Sequence, residues 1–458
     1  MAALANSDHP ALLAVHGSVR PDGDEALVAP VAVRMFDLER PLEDVSLARG
    51  ATEPPYRSLL AVVCLGDDPV GVATFEADDT TCLPRDRLIR GFSRRFGFEQ
   101  SELPSHRARE CLSHPLPDDR RRRIQTRRAS AWTPRLVSVV VPTCGNPESL
   151  VRCVRSILSS DYERLEVVVA DNRPATSGAR RALTTWFPGE RRLRYVEEGH
   201  RGASRARNAG LLHARGDVVA FVDDDVVVHP NWLRASIEPL ARNDDVVCCT
   251  GLILPLELET DSQLLLEQFA AFGKGFRRRT ITLRNSRGED PLLPYTVGSI
   301  GSGANMVVRA DVARELGGFD TALGPGTPAT GAEDLDLLIR VLRAGHAIAY
   351  EPRAIVWHQH PKGMARLRRQ IHRYGIGLGA MLAKQVLIGP ERRDLLRAIP
   401  TGIRYLRNPN SRKNRSKPEN FPRRLVWLER AGMLVGPAAY VLSTVLNPVP
   451  RRHGYERR

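Results

Sequence analysis

The chain has 458 residues, 42% of them hydrophobic and 26% charged, with a net charge of +14. That length allows two or three domains with at least one sizeable core and excludes a disordered or collagen-like chain. The charge is uneven: residues 1–130 sum to −2, 131–360 to −1 and 361–458 to +17. A basic nucleic-acid-binding protein is therefore not expected, because the neutral middle shows no helix-turn-helix, zinc-finger or aromatic RNA-reading pattern. A basic tail beside an apolar segment suits an anionic membrane surface instead.

Residues 1–130 read as a small domain and linker of unassigned role. Ser58–Cys64 and Val70–Phe75 are β-rich apolar runs around the turn residues Gly66-Asp67-Asp68-Pro69, which predicts a hairpin. Arg120–Arg128 (RRRRIQTRR) reads as an exposed linker. The opening MAALANSDHP has no basic-then-apolar pattern of a signal peptide. The seven cysteines are odd in number and form no CxxC pair, so neither a disulfide framework nor a zinc site is expected, and a reducing cytoplasm is.

From Val137 the pattern changes. VSVVV runs into Pro142-Thr143, LEVVVA into Asp171-Asn172, and DVVAFV into Asp223, with LRYV (193–196) and DVVCCT (245–250) completing the strands. Helical stretches are expected near 147–159, 178–186, 204–214 and 230–240. Strands apolar on both faces that alternate with helices predict a buried, mainly parallel sheet with helices packed on it. Ligands bind at the carboxyl ends of such strands, and three of these ends carry Thr143, Asp171 and Asp223.

Asp223-Asp224-Asp225 is the densest chemical signal. An isolated acidic triplet is most often a surface turn, but this one follows a buried strand. Three adjacent carboxylates repel one another, and a hard cation such as Mn²⁺ or Mg²⁺ relieves this while also taking substrate phosphates as ligands. Asp225 is the expected direct metal ligand, Asp223 a donor contact, and Asp224 the most dispensable. Asp171 could accept from a nucleobase ring N–H, or cap a turn. GHRGASRARNAG (199–210) offers Arg205 or Arg207 near a diphosphate. Glu333-Asp334 stands where a Gly/Pro-rich loop meets a helix, a setting for a general base. His358 follows another apolar strand and could complete a metal site. Gln370 and Arg373 sit one turn apart, suited to a phosphate or acceptor.

In this order, VSVVVPT, VVVADN, GASRARNAG, GDVVAFVDDDVVVHPNWL, GSGANMVVR, GGFD and GAEDLDLLIRVLRAGHAIAYEP resemble the inverting family 2 glycosyltransferases with the GT-A fold, over about 137–360. The resemblance implies a Rossmann-like α/β catalytic domain (131–360) between a small β-rich N-terminal domain and a basic, helical C-terminal region (361–458). It implies that Pro142, Thr143 and Asp171 line the nucleoside site, Asp223 and Asp225 form the DxD pair, Asp334 is the base, and His358 is a third ligand. The donor would be a nucleotide-diphosphate sugar, UDP-linked, and the acceptor a glycan or lipid-linked hydroxyl. QIHRY stands where many members carry QxxRW, with Tyr374 for Trp, which argues against a processive polymer synthase. A sugar-nucleotide pyrophosphorylase and a non-catalytic sugar-nucleotide-binding protein are the alternatives; the former lacks its Gly-rich loop after the first strand. Ala431–Leu446 is 16 residues without a charge, interrupted by Gly436-Pro437. That is short of the ~20 that span a bilayer, so surface contact at the inner face of the cell membrane is expected.

Overall fold

The computed structural model describes residues 27–97 and 134–447, apart from 51, 78, 79, 271, 289, 391 and 419. The first ten residues and the basic run 120–128 lie outside the described residues.

Strands β1 (Val31–Asp37), β2 (Val45–Ser46), β3 (Ser58–Leu65), β4 (Asp68–Glu76) and β5 (Cys82–Leu83) precede helix α1 (Arg85–Phe96). The expected hairpin is β3–β4, and β1 pairs parallel to β3 on its other side. All eight residues of β3 are buried, because the strand feeds two cores. Leu59, Ala61 and Val63 face Leu88 and Phe92 of α1, while Leu60, Val62 and Cys64 pack with Leu252, Leu254, Leu258 and Ile355 of the following unit.

That unit comprises β6 (Val137–Thr143), α2 (Pro147–Leu158), β7 (Leu165–Asp171), α3 (Ala179–Trp186), β8 (Leu193–Glu197), α4 (Ala203–His213), β9 (Val218–Phe221), β10 (Val226–Val228), α5 (Trp232–Arg242) and β11 (Val246–Pro255). It continues with α6 (Asp261–Ala270), β12 (Arg279–Ile281), α7 (Leu283–Ser286), β13 (Met306–Arg309), α8 (Ala310–Glu315), α9 (Glu333–Arg343) and β14 (Ala347–His358). The strands form one nine-stranded sheet in the order β10-β14-β11-β13-β9-β6-β7-β8, with β12 on β14. β9-β6-β7-β8 and β11-β14 are parallel, whereas β13 runs antiparallel between β9 and β11. The sheet is thus the expected mainly parallel one, flanked by helices. Its β-branched strands alternate between two cores: Val139 and Val141 with Cys153 and Val154 of α2, and Val140 with Leu211 of α4. A Cβ at Gly210 would lie 2.3 Å from Val140 Cγ1, so only glycine lets α4 lie this close to β6.

Two asparagines, the buried Asn305 and the half-buried Asn208, fix the motifs around the site. Asn305 accepts from Trp232 Nε1 at 2.9 Å and donates to the carbonyls of Leu252 and Ala354, at the register shift where β11 meets β14. Asn208 exchanges two 2.8 Å bonds with the Phe319 backbone, tying the GGFD segment to α4.

Helices α10 (Met364–Leu387), α11 (Arg392–Arg407) and α12 (Arg423–Leu446) follow. The segment 431–446 is therefore the end of one continuous 24-residue helix. A Cβ at Gly375 or Gly379 of α10 would lie 2.0 Å from Glu429 O or 2.2 Å from Met433 O of α12. Backbone meets backbone there, as small residues permit. Pro437 lacks the N–H that would bond Met433, and the carbonyl so released faces Gly379.

Candidate functional site

The carboxyl ends of β6 and β9, the N-terminus of α9 and the end of β14 meet at one cleft of about 1530 Å³. Pro142, Thr143, Arg207, Asp223, Asp224, Asp225, Glu333, Asp334, His358 and Gln370 all line it. Asp171 and Arg373 do not.

The acidic triplet divides its work by direction. Asp224 turns toward β6, where its Oδ2 accepts from Thr143 Oγ1 at 2.5 Å. Burial, and then the neighbouring Asp225, push its carboxyl up to about 7. Asp223 and Asp225 turn the other way, and together with His358 they present one ligand atom each within 4.8 Å of one another. Asp225 Oδ1 is buried and accepts no hydrogen bond; His358 Nε2 is 3.5 Å away. Burial raises the Asp225 carboxyl above its ordinary range.

His358 is set by a chain of buried groups. His358 Nδ1 lies 3.2 Å from His360 Nδ1, and His360 Nε2 lies 2.9 Å from Glu267 Oε2. With Glu267 accepting from His360 Nε2–H, His360 Nδ1 is an acceptor, so His358 donates from Nδ1. The lone pair of His358 Nε2 then faces Asp225 Oδ1. Two lone pairs at 3.5 Å form a pocket for a cation, with an outer carboxylate orienting the imidazole. The donor set of two carboxylates and one imidazole suits Mn²⁺ or Mg²⁺.

Arg207 is buried and bridges the two halves of the site. Its Nη2 donates to Asp223 Oδ1 at 2.6 Å, and its Nη1 donates to Glu333. Glu333 is consequently buried and engaged within the protein, its carboxyl pushed up to about 7 by burial against the pull of Arg207. Asp334, next in sequence, faces the cleft. Its Oδ2 accepts from Gly303 N at 2.7 Å and its Oδ1 from Leu335 N at 2.8 Å. A Cβ at Gly303 would stand 3.0 Å from Asp334 Cβ and 3.4 Å from Arg207 Nη2, so GSGAN passes the carboxylate with little room for a side chain. The loop entering α9 holds Thr330 and Ala332 at φ 60° and 65°, a left-handed strain of the kind that collects at working sites.

Three expected positions differ from their sequence reading. Asp171 is fully buried, and its oxygens already accept from Ser177 Oγ, Tyr195 OH at 2.8 Å and Arg173 N at 2.9 Å. It therefore shapes the turn, while the adjoining Asn172 lines the cleft with its Oδ1 buried and unbonded. Arg373 is exposed on α10, and its carbonyl accepts from Thr330. Gln370 does line the cleft, but its Nε2 donates to Tyr374 OH at 2.6 Å. His360 and Glu267 were missed. His360 was within reach, two residues beyond His358 and just past the end of β14; Glu267 comes from 93 residues away and carries no local signal.

The chain is a glycosyltransferase, as the match of residues 138–317 to the model of glycosyl transferase family 2 and the names of its relatives show. It is 28% identical over 232 residues to the glucosyl-dolichyl phosphate glucuronosyltransferase of Haloferax volcanii, covering 49% of this chain and 69% of that one. It is likewise 28% identical over 226 residues to the pre-mycofactocin glycosyltransferase of Mycobacterium tuberculosis, covering 49% of this chain and 43% of that one, so less than half of that relative is spanned. Among solved structures, the mannosyltransferase PcManGT of Pyrobaculum calidifontis, in complex with GDP-Man and Mn²⁺, is similar over 72% of this chain and 92% of its own, at 18% identity and a TM-score of 0.41. Asp334 and His358 lie past the matched segment.

Proposed function

We propose that the chain is an inverting, metal-dependent glycosyltransferase that moves a sugar from a UDP-linked donor to a hydroxyl of a glycan or lipid-linked acceptor. The observation that carries this reading is the convergence of Asp223, Asp225 and His358 with Asp334 on one cleft. A divalent cation held by Asp225 and His358, with Asp223 beside it, would neutralise the departing nucleoside diphosphate. Pro142, Thr143 and Asn172 stand on the nucleoside side, at the ends of β6 and β7.

Asp334 acts as the base. Its two backbone hydrogen bonds fix the carboxylate and leave lone pairs for the acceptor proton. The acceptor oxygen forms a bond to C1 of the sugar from the face opposite the diphosphate. The bond from C1 to the diphosphate oxygen breaks, Asp334 takes the hydroxyl proton, and the anomeric configuration inverts. Arg207 holds Asp223 and the start of α9 in register, a positioning role.

The enzyme works at a membrane surface in this reading. α12 is long and apolar enough to cross a membrane by length and composition, yet 33% of its most apolar window is covered by protein. Its outer side exposes Leu434, Val441, Val445 and Leu446, and α11 exposes Leu396, Ile399 and Ile403. Arginines 392, 393, 397, 404, 407, 423 and 424 lie on the same two helices, as an anionic interface would select.

The test is the anomeric configuration of the sugar released from UDP-sugars to water or acceptor with Mn²⁺, read by proton NMR at early times. Inversion is expected. Retention, or turnover indifferent to metal chelation, would remove the mechanism.

A further inference from the structure

The cleft continues well past the carboxylates. Its ~1530 Å³ exceeds the roughly 300–1,000 Å³ of a small-molecule site, so a nucleotide sugar leaves space beyond itself. The far wall of that space is apolar and comes from the C-terminal helices: Leu378 and Leu382 of α10, and Ile399 and Ile403 of α11. Ile399 and Ile403 are each 46% exposed although they line the cleft. The wall therefore opens sideways, onto the helix surface that also carries the exposed Leu396.

Beside this wall the same cleft gathers positive charge. Lys274 comes from the stretch joining α6 to β12, Arg279 opens β12, and Arg412 and Arg415 come from the turn joining α11 to α12. Arg279 is met by the carbonyls of Lys274 and Ser299 and by the ring of Tyr350, 5.0 Å away. Arg412 has Asp290 at 3.8 Å. Burial, opposed by Glu267 and reinforced by Lys413, Arg279 and Arg415, pushes the Lys274 ammonium down to about 8, and burial together with Arg412 lowers Arg279 and Arg415. Cations that repel one another inside a cavity form a seat for an anion, and guanidinium groups suit phosphate. A nucleotide sugar has no use for the apolar wall, whereas a hydrocarbon chain has.

We infer that this part of the cleft binds the lipid-phosphate end of the acceptor: the phosphate seats on Lys274, Arg279, Arg412 and Arg415, the aliphatic chain leaves between Ile399 and Ile403 toward the membrane, and the reacting hydroxyl belongs to the group that the phosphate carries. The inference rests on the glycosyl-transfer reading, whose second substrate it supplies. It gives the exposed apolar face of α11 a purpose, since a chain can enter from a bilayer without crossing water.

The test uses the full chain and three probes: farnesyl phosphate, farnesol and inorganic phosphate, titrated by calorimetry. Farnesyl phosphate should bind at least about tenfold more tightly than either control, the worth of one charge-assisted contact or a few buried methylenes. Arg279→Gln with Arg415→Gln should weaken farnesyl phosphate by about tenfold or more, while UDP with Mn²⁺ binds as before. Ile403→Asp, at a half-exposed position, should weaken farnesyl phosphate and leave inorganic phosphate unchanged; it keeps the test open if the double variant fails to fold. Equal binding of farnesyl phosphate and inorganic phosphate would overturn the inference. So would a double variant that loses UDP but keeps farnesyl phosphate, which would give the cations to the donor. Failure of the transferase reading looks different: wild-type protein would then ignore UDP with Mn²⁺.

Discussion

Arg207 donates to Asp223 at 2.6 Å from a position almost wholly removed from solvent. Through its other nitrogen the same guanidinium reaches Glu333, so one side chain ties a carboxylate of the Asp223–Asp225–His358 cluster to the first residue of the helix that carries Asp334. Arg207→Met would leave two carboxylates without their counter-charge. A loss of about 3–5 kcal/mol is expected, as for other broken buried pairs, read by urea unfolding. Arg207→Met combined with Glu333→Gln should recover part of it, because the stranded charge is then gone. Equal instability of the single and double variants would separate Glu333 from this role.

Glu333 and Asp334 are adjacent but differ in task. Asp334→Asn should lose about 10²–10⁴ in kcat, the usual worth of a general base, with donor affinity kept. Glu333→Gln should act chiefly on stability, since Glu333 is buried against Arg207. Near-normal kcat for Asp334→Asn would remove it as the base.

The Glu267–His360–His358 chain predicts a metal phenotype far from the metal. Glu267→Gln can donate rather than accept, which turns the tautomer of His360 and hence that of His358. Mn²⁺ affinity should fall by about 10–100-fold, typical of outer partners of a ligating histidine, with the thermal midpoint of the metal-free protein changed little by comparison. Titration of Mn²⁺ by electron paramagnetic resonance reads this directly. Unchanged affinity would mean that the chain does not orient His358.

Below the base-bearing turn, Asp336 is fully buried and paired with Arg340 at 2.8 Å and Lys384 at 2.7 Å. Burial disfavours its charge, but Arg340 and Lys384 outweigh this and hold the carboxyl below its ordinary range. Its folded pKa lies under the unfolded one, so the unfolded state binds more protons in acid and stability rises with pH there. Asp336→Asn should therefore cost about 3–5 kcal/mol at pH 7, and its deficit against wild type should shrink below about pH 4. A deficit independent of pH would point to packing rather than charge.

What the sequence disclosed follows from what is local. β6, β7 and β9 were legible because strands buried on both faces are continuous apolar runs, and the turn of Gly66-Asp67 announced the β3–β4 hairpin. β10 and β13 were not, since three or four residues acquire strand character only from distant partners. Asp223 and Asp225 could be found from their place after a buried strand. The burial of Arg207 could not, because GASRARNAG reads equally well as a loose loop. Asp171 was legible as a strand end but not as a saturated acceptor, for Ser177 and Tyr195 reach it only in the fold. The joining of α10, α11 and the turn at 412–415 to the same cleft depends on helix packing that no local signal encodes.

The most direct test of the central claim is calorimetric titration of UDP into the full chain, with and without Mn²⁺, for wild type and Asp225→Ala. The account predicts that Mn²⁺ tightens UDP binding to wild type by about tenfold or more and that this gain disappears in Asp225→Ala. UDP binding that ignores Mn²⁺ in wild type, or a metal-dependent gain that survives Asp225→Ala, would contradict it.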